Sequence, residues 1–154
     1  MSAASLRGVL ARWVPVAAWA AVISVLSSDS FSGAHTATLL EPIFAILLPG
    51  AAPETIHATH AVVRKLAHLT EYAVLGLLVF RALDRPGRSS RAVALQALVL
   101  CALYASLDEL HQSFVPSRGA APLDVVLDTT GAALGLALRL ALSARVSAGR
   151  RSPA

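Results

Sequence analysis

Four long apolar stretches alternate with short polar segments along the chain and predict a bundle of membrane-crossing helices. They occupy residues 9–27, 53–83, 91–113 and 122–143. Each reaches the roughly 20 residues that a helix needs to cross the hydrocarbon core. The basic start of the first stretch also fits a signal peptide. Because Pro15 and the polar run after it leave no clean cleavage site, we predict a retained helix.

The segment at residues 28–53 contains a shorter apolar run that is interrupted by Glu41 and Pro42. Its apolar pairs recur at helical spacing, which predicts a short interfacial or re-entrant helix. The expected fold is all-α: a polytopic membrane protein with about four transmembrane helices plus this short one. We expect one transmembrane domain over residues 1–145 and a disordered basic tail at 146–154.

Composition supports a membrane protein over a soluble one. Of the 154 residues, 56% are hydrophobic and 14% charged, and the mean hydropathy is +0.66. The net charge of +4 comes from dispersed residues rather than one basic patch, so we expect no nucleic-acid partner. The single Cys101 allows no intrachain disulfide.

Charged residues are distributed asymmetrically and predict the orientation. With the N-terminus inside and alternating spans, ten of the thirteen Arg and Lys residues fall on the inner side. Eight of the nine acidic residues and all five histidines then fall on the outer side or in the outer halves of helices. The positive-inside rule therefore predicts an N-in/C-in topology with an extracytoplasmic polar face.

Polar side chains share one face on each of three predicted helices. On the last helix, Gly131 and Gly135 lie on the same face as two aspartates, and this spacing lets a partner helix approach closely beneath them. The polar residues on these faces are His57, His60, Arg64, Lys65, His68, Glu71 and Tyr72; Tyr104, Asp108 and His111, with Glu109 and Gln112 beside them; and Asp124 and Asp128.

Three hypotheses account for this polar cluster. A structural network would fix the packing of the helices. A metal site would use ligands among His68, Glu71, His111, Asp108 and Glu109, although no compact metal motif is present. Acid/base chemistry at the membrane surface would use neighbouring carboxylates, with Lys65 and Arg118 binding a lipid phosphate or pyrophosphate. A transporter is less favoured because the spans are few and no inverted repeat is visible.

Two spaced motifs resemble those of the VanZ-like membrane proteins. They are K-x-x-H-x-x-x-Y at Lys65, His68 and Tyr72, and Y-x-x-x-D-E-x-x-Q-x-F from Tyr104 to Phe114. The resemblance continues to Gly135 and covers residues 62–138. It implies a protein of the bacterial cytoplasmic membrane, in a family named after a member linked to teicoplanin resistance. This chain has Asp128 where the family often has Asn, and Pro116-Ser117-Arg118 where P-G-R is common.

The expected function is an extracytoplasmic polar pocket that binds or processes an anionic envelope component, with membrane lipids or a lipid-linked precursor as partner. Whether it catalyses a reaction stays open, and a non-enzymatic scaffold is the alternative. No metal or cofactor is predicted. The catalytic candidates are Asp108, Glu109 and His68; the predicted binding residues are Lys65, Tyr72, Tyr104, Gln112, Arg118, Asp124 and Asp128.

Overall fold

The structure, a computed structural model, describes residues 3–28, 33–114 and 121–149, which form five helices and no strand. Four helices are long and apolar enough to cross a membrane, and α2 is a shorter apolar helix. The predicted all-α fold with four candidate spans is thus confirmed. The helices are α1 (Ala3–Leu26), α2 (Gly33–Leu47), α3 (Pro53–Leu83), α4 (Ser90–Gln112) and α5 (Pro122–Gly149).

The helix boundaries follow local sequence features. Pro53 and Glu54 begin α3 because proline suits the first helical position and a carboxylate suits the first turn. In contrast, α1 begins at Ala3 rather than at Val9, and α5 continues to Gly149 rather than ending at Ser143. Residues 144–148 contain no helix breaker, so residues 146–149 of the predicted tail belong to α5. Residues 150–154 lie outside the described residues.

Two glycines allow the tight connections at the ends of α3. Gly50, between α2 and α3, has φ 81°, and Gly87, between α3 and α4, has φ 82°. Side chains with a Cβ rarely adopt this left-handed conformation. Both connections are therefore short, and they keep α2 and α4 beside α3.

Helix α3 lies at the centre of the bundle and packs against all four other helices. It runs antiparallel to α1, since Trp19 bonds to Glu71 and Arg12 bonds to Asp84. It runs parallel to α5, where Gly131 lies beside Leu69 and Gly135 beside Ala73. The start of α1 and the end of α5 therefore lie at the same end of the bundle, in agreement with an even number of crossings.

The two ends of the bundle differ in charge. We call the end with Arg12, Arg81 and Arg139 the basic end, and the end with Asp108 and Glu109 the acidic end. Which end faces the cytoplasm is still predicted from the charge distribution alone.

Helix α2 packs along the first half of α3. Thr36 Oγ1 lies 3.1 Å from His60 Nε2, and Glu41 Oε1 lies 2.6 Å from His57 Nδ1. These pairs run in opposite directions along the two helices, so α2 and α3 form an antiparallel hairpin. With 15 residues, α2 is about 22 Å long, which is less than the hydrocarbon core.

Along α4, small side chains fill the contacts with the other helices, while leucines face outward. On α4, Ala97, Cys101 and Ala105 are buried, whereas Leu103 and Leu107 are exposed. A water-soluble bundle would place the leucines inside. In a membrane, lipid tails cover the exposed leucines, and small residues let the helices approach closely.

The closest helix approach joins α5 to α3. A Cβ on Gly131 would clash with the carbonyl oxygen of Leu69 and lie 2.9 Å from the Cα of Leu69. A Cβ on Gly135 would lie 2.7 Å from the carbonyl oxygen of Ala73. These neighbours are backbone atoms of α3 and cannot rotate away. The predicted close approach beneath the aspartates is thus present, with α3 as the partner helix.

We expect Gly131→Ala to lower the free energy of unfolding by about 1–3 kcal/mol, because α3 and α5 must separate to admit the methyl group. The measurement is thermal or detergent-induced unfolding of the purified protein. Gly8→Ala is the matched control: a Cβ there meets nothing within 4 Å, and alanine favours a helix. If Gly131→Ala were as stable as Gly8→Ala, the tight contact would be refuted.

Candidate functional site

Asp108 joins α1 to α4 at the acidic end. Its Oδ2 accepts a hydrogen bond of 2.7 Å from Ser27 Oγ on α1 and one of 2.9 Å from Gln112 Nε2 on its own helix. The three residues are only 1–6% exposed. A buried carboxylate is tolerated when hydrogen bonds satisfy it, so these contacts explain how Asp108 is accommodated.

Glu109 holds the start of α5. Its Oε1 accepts a hydrogen bond from the backbone N–H of Ala121, which directly precedes the helix. This N–H is one of the donors at a helix start that have no partner within the helix, and a carboxylate from α4 supplies its acceptor. Asp124 lies in the first turn of α5, where negative charge is also favourable.

His68 and Asp128 face each other across the contact between α3 and α5. His68 Nδ1 lies 3.3 Å from Asp128 Oδ1, and Asp128 is 3% exposed. At this distance the two side chains form an ion pair when His68 is protonated, and neither atom has a hydrogen-bond partner among the described residues. Asp128 lies one turn before Gly131, so the close helix approach brings this pair together.

Two tyrosines lie next to one another between these carboxylates and the apolar core. The ring centroids of Tyr72 and Tyr104 are 6.2 Å apart. Tyr104 donates a hydrogen bond of 2.6 Å to the carbonyl of Ala20 and lies 2.9 Å from Ser24 Oγ, which fixes α1 to α4. The buried Tyr72 hydroxyl has no hydrogen-bond partner among the described residues.

A cavity of about 160 Å³ opens between α1, α2 and α3. At roughly 30 Å³ per water, it has room for a small polar group rather than a whole lipid. His68 lines it while also facing Asp128, so the cavity adjoins the buried polar residues. The lining residues are Leu26, Thr36, Leu40, Val63, Arg64, Ala67, His68 and Glu71.

The cation that lines the cavity is Arg64, whereas the sequence predicted Lys65 and Arg118 as the binding cations. Lys65 is exposed, and Arg118 lies outside the described residues. Arg64 is half-buried and lines the cavity, with its guanidinium against Gly33 at the start of α2. Within the described part of the chain, Arg64 makes no ion pair.

Metal ligands do not gather in the described part of the chain. No group of three His, Cys, Asp or Glu side chains there is arranged to hold a metal ion. His111 and His57 are exposed, and His57 pairs with Glu41.

The structure thus brings six of the predicted site residues into one region: His68, Tyr72, Tyr104, Asp108, Gln112 and Asp128. The motif analysis missed Ser24 and Ser27 of α1, which bond to Tyr104 and Asp108. Their spacing of three in an apolar helix was the available indication. The helical pattern of the sequence placed Arg64 on the polar face of α3 but gave it no role.

The pattern of polar residues across α3, α4 and α5 agrees with one known family. The VanZ/LLP1 family model matches residues 11–143, well over half of the chain. This chain is a member of the VanZ/LLP1 family. The match includes α1, which the two motifs of the sequence do not reach. Neither a curated protein nor a solved structure matches the chain significantly.

We expect His68 and Asp128 to be energetically coupled because each would leave a buried polar group unpaired if the other were removed. A double-mutant cycle with His68→Leu and Asp128→Leu should give a coupling of about 1–3 kcal/mol in unfolding free energy. The control cycle uses His57 and Glu41, whose side chains are 65% and 23% exposed. Exposed pairs give below about 1 kcal/mol, so equal values in both cycles would contradict the buried pairing.

Proposed function

We propose that this VanZ/LLP1 protein binds the phosphate or pyrophosphate group of a lipid-linked component of the bacterial envelope. The binding site in this proposal is the cavity between α1, α2 and α3. The observation that carries it is the position of His68, which lines the cavity and faces the buried Asp128. A ligand in this cavity would thus contact a side chain that also faces the buried polar residues.

The cavity lining suits an amphiphile with a charged headgroup. Arg64 and His68 supply nitrogen donors for phosphate oxygens, and Thr36 supplies a hydroxyl. Leu26, Leu40 and other apolar side chains form the remaining wall. The small volume admits a headgroup, and the lipid chain would lie along the exposed apolar surface of α2 and α3, where Leu39 and Leu66 are exposed.

Electrostatics at the start of α2 also favour an anion. The first N–H groups of a helix carry partial positive charge, and the Arg64 guanidinium lies against Gly33 at that point. Two positive groups side by side repel each other unless an anion lies near both. A phosphate bound there would meet Arg64 and the helix N-terminus together.

Proton transfer in this proposal belongs to His68. Its Nδ1 faces Asp128, so Nε2 is the nitrogen left for a ligand in the cavity. Asp128 would orient the ring and stabilise its charged form, as a carboxylate does for a catalytic histidine. Asp108 and Glu109, the sequence-based acid/base candidates, already accept hydrogen bonds from Ser27, Gln112 and Ala121. We therefore assign them a positioning role.

The charge distribution supports an extracytoplasmic location for this site, since the acidic end carries few Arg and Lys residues. Precursors of the bacterial cell wall become accessible on that side. A protein that binds such a precursor would compete with antibiotics that recognise it, in line with the teicoplanin link that the resemblance implies. Arg118, in the neighbouring loop, remains a predicted second cation.

A direct test titrates the purified protein with a short-chain polyprenyl pyrophosphate. We expect Arg64→Gln to weaken binding roughly tenfold or more, since charge-assisted hydrogen bonds to the pyrophosphate are lost. Arg145→Gln, an exposed change of the same charge on α5, should leave binding unchanged. Lys65→Gln tests the neighbouring exposed lysine. If Lys65→Gln abolished binding and Arg64→Gln did not, the cavity would not be the site.

The same variants can be compared in the bacterial host. If the protein protects an envelope precursor, strains with Arg64→Gln should match the deletion strain in susceptibility to teicoplanin-type antibiotics. Strains with Arg145→Gln should match wild type. Equal susceptibility of the deletion and wild-type strains would remove the resistance role while leaving binding to be judged by titration.

The hydrogen bonds of Asp108 favour a second candidate function, a membrane scaffold whose polar cluster only holds the helices together. This alternative predicts that Asp108→Ala lowers stability and abundance, whereas Arg64→Gln, which removes no ion pair among the described residues, changes neither stability nor lipid binding. The binding proposal predicts a division: Asp108→Ala lowers stability, whereas Arg64→Gln lowers binding in a normally folded protein. Unfolding and titration of both variants separate the two functions.

A further inference from the structure

A second cavity lies at the basic end of the bundle, far from the polar site. It has a volume of about 540 Å³ and is lined by Arg12 of α1, Arg81 of α3 and Arg139 of α5, together with Leu77, Phe80 and Asp84. With a rise of about 1.5 Å per residue, Arg81 and His68 are separated by about 20 Å along the axis of α3. This cavity is therefore separate from the site proposed above and does not depend on that proposal.

Two of the three arginines are held in place by contacts that do not neutralise them, and Arg81 is exposed. Arg12 Nη1 donates a hydrogen bond of 3.0 Å to the backbone carbonyl of Asp84, and Arg139 lies 5.3 Å from the Phe80 ring centroid. Arg139 also donates to Ser143 Oγ. None of the three arginines forms an ion pair with a carboxylate in the described part of the chain. Asp84 is the single carboxylate among the lining residues, so positive charge is in excess.

Three helices thus contribute one arginine each to the lining of the same cavity, although like charges repel one another. The arrangement is favourable when an anion with several acceptor oxygens binds between them. Guanidinium groups match phosphate in shape and bind it through paired hydrogen bonds. The volume lies within the range of about 300–1,000 Å³ that is usual for ligand sites.

The surroundings indicate a lipid rather than a soluble phosphate compound. Arg12 comes just before the apolar part of α1, and Arg81 lies at the end of α3, so the cavity is at the edge of the apolar region. Leu77 and Phe80 form its apolar wall. By the charge distribution this edge faces the cytoplasm, where anionic lipids attract basic residues.

We propose that this cavity binds the phosphate headgroup of an anionic phospholipid in the inner leaflet. The headgroup lies between Arg12, Arg81 and Arg139, and the acyl chains pass along Leu77 and the neighbouring apolar surface. Bound in this way, the lipid joins α1, α3 and α5 at the end of the bundle opposite the polar cluster.

The test is native mass spectrometry of the full chain titrated with phosphatidylglycerol or phosphatidylcholine. Wild type should retain phosphatidylglycerol in preference to phosphatidylcholine. The double variant Arg81→Gln/Arg139→Gln should bind phosphatidylglycerol roughly tenfold more weakly, since two charge-assisted contacts are lost. The control double variant Arg7→Gln/Arg145→Gln removes the same charge from exposed positions outside the cavity and should bind as wild type does.

Two results would overturn the proposal. Equal weakening in both double variants would mean that total charge, and not the cavity, attracts the lipid. Retention of phosphatidylglycerol no better than that of phosphatidylcholine by wild type would remove the anionic lipid as ligand. If the cavity double variant did not fold, Arg81→Gln alone would replace it, because this exposed side chain makes no hydrogen bond to the described residues. Roughly threefold weaker binding is then expected.

Discussion

The close contact between α3 and α5 is the constraint on which the rest of the structure depends. Gly131 and Gly135 lie directly against the backbone of α3, with no side chain between the helices. Lipid tails are as apolar as leucine, so the helices associate through such close packing rather than through exclusion of water. The same contact places His68 opposite Asp128.

Charged groups in this protein fall into two classes. Asp108 and Glu109 are buried and satisfied by hydrogen bonds that join α1, α4 and α5. These bonds hold the helices in register, which is the best-attested role for buried polar groups. The arginines that line the two cavities have no ion-pair partner in the described part of the chain. We therefore assign ligand binding to the arginines rather than to the carboxylates. Both proposals rest on this assignment.

Much of this arrangement was predictable from local patterns. Apolar length identified four candidate spans, and Pro53 and the Gly131/Gly135 spacing located the start of α3 and the tight contact. The residues of α1 that bond to the site were not predictable in this way. Ser24 and Ser27 meet Tyr104 and Asp108 only because α1 packs beside α4, and no local pattern contains that contact. The distinction between Arg64 and Lys65 also depends on how α2 packs against α3.

In the function that we propose, Arg64 and His68 hold a phosphate-bearing, lipid-linked envelope component in the cavity between α1, α2 and α3. The most direct measurement is native mass spectrometry of the protein extracted from bacterial membranes, with wild type and Arg64→Gln compared at equal folding. We expect wild type to carry a polyprenyl-linked phosphate or pyrophosphate that Arg64→Gln lacks, while both keep ordinary phospholipid. Equal retention of that molecule by both proteins, or its absence from wild type, would exclude Arg64 and His68 as its binding site.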